Sequence, residues 1–129
     1  MRKEYKLSRC ISTKEARCHC GKCGQEGMKK TFLECADKFS IMLEDRAKEY
    51  VPIYWSSLCR CIPHNKASKG VKDSDHLIGD AGDCLPYNGF NSIITKEVFY
   101  EIAKLCFGYV KFYSSGRLHC SARKWQKGN

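Results

Sequence analysis

Ser74-Asp75-His76-Leu77-Ile78-Gly79-Asp80-Ala81-Gly82-Asp83 is the stretch whose reading decides the fold. It carries two side chains of the kind that hold a catalytic Zn²⁺, the imidazole of His76 and the carboxylate of Asp83. Glycines between them let the backbone bend around an ion. No third donor is obvious within the segment, so another part of the chain is expected to return to it. A metal-dependent hydrolase is the leading expectation from these residues.

The third donor comes from the C-terminal end. Tyr109 to Tyr113 and Arg117 to Arg123 read as a hairpin joined through Ser114-Ser115-Gly116. Alternation places Leu118, Cys120 and Ala122 on one face and Arg117, His119, Ser121 and Arg123 on the other, so His119 projects from a polar face. His76, Asp83 and His119 together leave a fourth position for water, the feature that separates a catalytic zinc from a closed structural one.

Working outward, the periodicity predicts a helix from Met28 to Tyr50, with Phe32, Cys35, Ala36, Phe39, Leu43, Ala47 and Tyr50 at helical spacing. Val51 to Trp55 reads as a short strand with Pro52 near its start, and Ser56 through Gly82 as loop. A second helix is expected from the Thr95 N-cap to the Gly108 stop, with Val98, Ile102, Leu105 and Cys106 on its buried face. Cys35 and Cys106 fall in these apolar patterns and read as small core residues.

The 129 residues suit one domain spanning 1–129, in which the cysteine-rich stretch through residue 27 is a part. No run approaches a membrane span, and no apolar h-region follows the basic N-terminus, so neither membrane insertion nor a signal peptide is expected. A net charge of +9 favours polyanionic surroundings such as nucleic acid, anionic lipid or an acidic wall polymer. The basic residues form no block, and no basic recognition helix or aromatic-basic ribbon supports a nucleic-acid module.

Ten cysteines without a signal peptide point to reduced thiols or metal ligation rather than a disulfide framework. Cys18-His19-Cys20-Gly21-Lys22-Cys23 is the densest cluster. A structural zinc at Cys18, Cys20 and Cys23, completed by Cys59 or Cys61, is one expectation; unligated thiols are the other.

The central segment resembles the S-x-H-x-x-G-x-A-x-D signature of peptidase family M15, the zinc D-Ala-D-Ala carboxypeptidase and phage endolysin group. Ser57-Leu58-Cys59-Arg60-Cys61-Ile62-Pro63-His64-Asn65 is similar to the family's S-G-x-R-x-x-x-H-N stretch. Ser115 to His119 resembles the terminal strand carrying the last zinc histidine, and Leu7 to Cys23 the N-terminal segment of the small phage branch. The resemblance implies an α+β Hedgehog/DD-peptidase fold, with helices on one side of a small antiparallel sheet and zinc in a cleft. It implies His76, Asp83 and His119 as zinc ligands and Arg60 as the catalytic-site anchor for a substrate carboxylate or carbonyl, suited by its planar guanidinium. Ser57, Ser74 and His64 are implied around the substrate, with His64 lining the cleft rather than ligating.

The implied activity is hydrolysis of peptidoglycan stem peptides by a monomer acting on the wall or in the periplasm, released at phage lysis. Two departures bear on it. Many small members of the family carry His-x-Asp on the last strand, where this chain has His119-Cys120-Ser121, and between Phe107 and Asn129 it has no Asp or Glu. Leu58 stands where the family usually has glycine. A base from elsewhere, His64 or Glu101, keeps the enzyme reading; without one, a zinc-holding pseudoenzyme that binds wall peptides is the alternative.

Overall fold

The computed structural model describes residues 6–18, 20, 27–67 and 75–123. Among them run α1 (Thr13–Ala16), α2 (Lys30–Ala47), β1 (Ile53–Ser57), α3 (Ile62–Ala67), a 3-10 turn (Asp75–Ile78), β2 (Ala81–Pro86), α4 (Lys96–Cys106), β3 (Tyr109–Phe112) and β4 (Leu118–Ser121). The four strands form one antiparallel sheet in the order β1-β2-β4-β3, giving an α+β architecture. No helix is long and apolar enough to cross a membrane.

Helix α2 forms because Phe32, Ala36, Phe39 and Leu43 recur on one face and are all buried. It stops at Lys48, whose φ of 62° takes the left-handed cap conformation usually given to glycine, so Tyr50 falls beyond the helix. Helix α4 begins as expected, with Thr95 Oγ1 accepting from the Val98 amide at 3.1 Å. Its buried face differs from the expected one. Phe99, Ile102, Ala103 and Cys106 turn inward, while Leu105 is 65% exposed. Phe99 wins the inward position because it packs edge-on to Phe39 of α2, with ring centroids 5.0 Å apart.

The expected loop from Ser56 to Gly82 is corrected by the structure. It contains the end of β1, α3, the 3-10 turn and the start of β2, and Asp83 sits on β2 rather than on a bent loop. A run of Ala-Gly-Asp-Cys-Leu-Pro has weak strand propensity, yet β2 is a central strand with partners on both sides. Gly82 explains how. A Cβ there would lie 2.6 Å from Leu58 Cδ2 and 2.7 Å from the Trp55 ring, so glycine admits those side chains against the strand. Gly79 does the bending, with φ of 70° and the Gly27 carbonyl close against its α-carbon.

Register then sorts the sheet into two faces, because residues directly opposite one another share a face. Trp55, Cys84, Leu118 and Cys120 enter the core with Phe32, Phe39 and Phe99. Asp83 and His119, opposite each other, share the other face with Ser121, Ala81 and Lys111. On β1, Trp55 pairs with Cys84 but Ser57 pairs with Asp83, so Ser56 is an extra residue. This bulge turns Ser57 from the core side, where alternation alone would put it, to the side of Asp83.

Candidate metal centre

Three chain segments meet at one point. His76 arrives on the 3-10 turn, Asp83 on β2 and His119 on β4, and their donor atoms all lie within 4.8 Å of one another. All three residues are buried. Asp83 Oδ1 lies 3.1 Å from His76 Nε2 and 3.0 Å from His119 Nδ1. Burial opposes the charge on Asp83, but hydrogen bonding to His119 and His76 outweighs it and holds the carboxyl well below the usual carboxylate range.

The surroundings determine which atoms face inward. His76 Nδ1 lies 2.7 Å from the Leu58 carbonyl oxygen. A carbonyl only accepts, so Nδ1 carries a proton and donates to it, leaving Nε2 to face Asp83. His119 Nε2 lies 3.0 Å from Ser121 Oγ, and its Nδ1 lies 2.8 Å from the Tyr113 hydroxyl. Burial, reinforced by the charge of Asp83, pushes the Tyr113 phenol upward, so this hydroxyl stays protonated. Two imidazole nitrogens, His76 Nε2 and His119 Nδ1, thus converge on one carboxylate oxygen. A cation there would take the place of the protons these nitrogens share with Asp83, and two imidazoles with one carboxylate is a donor set of zinc chemistry. The residues therefore fit the metal.

Arg60 completes the setting from outside. Its Nη2 donates to Asp83 Oδ2 at 3.0 Å, its Nε to Ser57 Oγ at 2.9 Å and its Nη1 to Asn65 Oδ1 at 3.2 Å. One carboxylate oxygen is thereby occupied and the other left facing the imidazoles. The Arg60 amide also donates to the His76 carbonyl at 3.0 Å, tying the segment after β1 to the 3-10 turn. On the far side of that turn Asp75, fully buried, accepts from Arg123 Nε at 2.7 Å.

Of the expected site residues, the fold brings together His76, Asp83, His119, Arg60 and Ser57. Arg60 points its fork at Asp83, and Ser57 orients Arg60. Ser74 and Cys23 lie outside the described residues, as does the side chain of His64, which the chain places on α3. Glu101, a candidate base, is on an exposed position of α4 and is not hydrogen-bonded to the cluster.

Two contributors were not evident from the sequence, Tyr113 and the Leu58 carbonyl, while Asn65 stood in the quoted motif without a role. Tyr113 was findable, since it lies at the end of the strand paired with the one bearing His119. The Leu58 carbonyl was not, since no side chain announces it. Leu58 occupies its position through packing on Gly82. No protein-family model, curated protein or solved structure matches the chain.

Proposed function

We propose that the protein is a zinc-dependent peptidase of the Hedgehog/DD-peptidase fold that hydrolyses peptide bonds in bacterial peptidoglycan. The observation that carries this reading is the convergence of His76 Nε2, Asp83 Oδ1 and His119 Nδ1 from three separate elements. The motif resemblance supplies the substrate class, and the +9 charge suits an anionic wall. A zinc ion held there supplies Lewis acidity toward a scissile carbonyl and acidifies water near neutral pH.

The chain's own groups have assigned parts. His76, Asp83 and His119 hold the ion; Ser121 and the Leu58 carbonyl fix the imidazole orientations. Tyr113, held protonated beside His119, donates a hydrogen bond to charge developing on the substrate carbonyl oxygen. Arg60 pairs with Asp83 and presents its remaining guanidinium N–H groups to a substrate carbonyl or carboxylate. The protein acts as a monomer at the wall or in the periplasm, reached at phage lysis.

Asp83 is the carboxylate hydrogen-bonded to the two imidazoles, and Arg60 neutralises it, so it is unsuited to abstract a proton. Base contributions are typically about 10² to 10⁴-fold, so slow turnover is expected. The same observation favours a second reading, a pseudoenzyme that holds zinc and binds wall peptides. Zinc-loaded protein is incubated with purified peptidoglycan, and mass spectrometry searches for new amino or carboxyl termini. Slow cleavage, abolished by His119→Ala, is expected. No cleavage by fully metallated protein sinks the enzyme reading, and iron in place of zinc as the metal retained on purification overturns the assigned chemistry.

A further inference from the structure

A second cluster of metal-type donors is distinct from His76, Asp83 and His119. Cys18, Cys20 and Cys61 bring three sulfurs within 4.8 Å of one another. Cys18 and Cys61 are buried and Cys20 is half-buried. Cys18 Sγ lies 3.7 Å from Cys61 Sγ, well beyond the roughly 2.05 Å of a disulfide. The Cys61 backbone amide also donates to Cys18 Sγ at 3.3 Å, a contact that stabilises a sulfur carrying negative charge.

These thiols lie outside the apolar core that takes up several of the other cysteines. Cys10, Cys84, Cys106 and Cys120 belong to the apolar core, where burial pushes the Cys10 thiol up to about 12 and the Cys106 thiol to about 11. Three cysteines separated by up to 43 positions meet at one point outside the apolar core cluster, an arrangement that asks for a reason. A shared cation is a reason.

We propose that Cys18, Cys20 and Cys61 bind a second, structural zinc that clamps the N-terminal segment to the loop carrying Arg60. Each thiol releases its proton to solvent as the thiolate–metal bond forms. Cys23, at C-x-x-C spacing from Cys20, is the sequence candidate for the fourth donor and lies outside the described residues. Cys61 directly follows Arg60, whose amide is held by the His76 carbonyl and whose guanidinium is held by Asp83. A metal at Cys61 therefore fixes from one side the loop that the cleft fixes from the other. This site stands independently of the peptidase reading.

The test uses the full chain with His76→Ala, which removes a cleft donor, and loads it with zinc or cobalt. One equivalent of metal is expected to remain, with thiolate-to-cobalt charge-transfer absorption, and Cys61→Ser in that background should abolish it. A parallel titration of the otherwise native protein with an organomercurial covers the case in which a variant fails to fold. It should release one of two bound zinc ions as the thiols are consumed. Zinc that resists the mercurial, a cobalt spectrum without sulfur ligation, or a Cys18–Cys61 disulfide in metal-replete protein overturns the proposal. Loss of peptidase activity alone does not bear on it.

Discussion

Asp83 and His119 stand directly opposite each other on the two central strands, with Oδ1 and Nδ1 3.0 Å apart. Two of the three donors are therefore placed by backbone pairing, and only His76 depends on a turn. His119→Ala should abolish metal binding in the cleft while leaving the sheet paired. It also removes a hydrogen-bond partner from buried Asp83 and from Tyr113, at a cost of about 1–3 kcal/mol. Zinc analysis after dialysis and urea unfolding check the two effects separately.

Arg60 and Asp83 form a buried pair with side chains 10% and 5% exposed. Removing one partner of such a pair leaves a buried charge uncompensated, so Arg60→Ala should cost about 3–5 kcal/mol. Arg60→Lys should recover part of this, since it restores charge but not the fork to Ser57 and Asn65. Urea midpoints decide the matter. A raised KM with stability unchanged would show that Arg60 serves substrate rather than Asp83.

Ser121 Oγ orients His119 from behind. Ser121→Ala preserves the fold and all three donors, yet should weaken zinc by about 10 to 100-fold, the usual effect of losing a ligand's own hydrogen-bond partner. Competition with a chromogenic chelator measures this. Unaltered affinity would reduce the contact to simple packing.

Gly82→Ala tests the sheet rather than the site. Its methyl group would meet Leu58 and the Trp55 ring at 2.6 and 2.7 Å, closer than side chains tolerate. Overpacking of this kind costs about 1–3 kcal/mol, and because Leu58 also supplies the carbonyl to His76, weaker metal binding should accompany it. Thermal unfolding with and without zinc separates the two.

Stability should decline at alkaline pH through Cys10. Burial first, then the charge of Asp37, raises its thiol from 9.0 to about 12. Between those values the folded chain retains a proton that the unfolded chain has lost, so stability falls as pH rises through that window, by at most about 1.4 kcal/mol per pH unit. The contribution is complete below pH 9. Cys10→Ala should flatten the slope of unfolding free energy against pH over this range.

Much of this was readable in the residues. Phe32, Phe39 and Leu43 marked α2, Thr95 marked the start of α4, and strand alternation placed His119 and Ser121 on one face, because these signals are local. Strand β2 was not readable, because its alanine, glycine and aspartate carry little strand propensity and are held by neighbours distant in sequence. Leu105 misled for a related reason: helical spacing was compatible with its burial, and packing between Phe39 and Phe99 chose another face. Arg60 was recognisable as a site residue, but its commitment to Asp83 depended on Ser57 being on the same side of the sheet.

That last condition rests on the bulge at Ser56 in β1. The bulge makes one strand serve two masters, its first half anchoring the hydrophobic interior and its last residue steering the guanidinium. Were Ser56 instead paired in regular alternation, every proposed ligand would remain in the chain, yet Ser57 would rotate toward the interior and the following loop would be carried out of phase. The register between Trp55 and Arg60 is thus as much a part of the centre as any side chain in it.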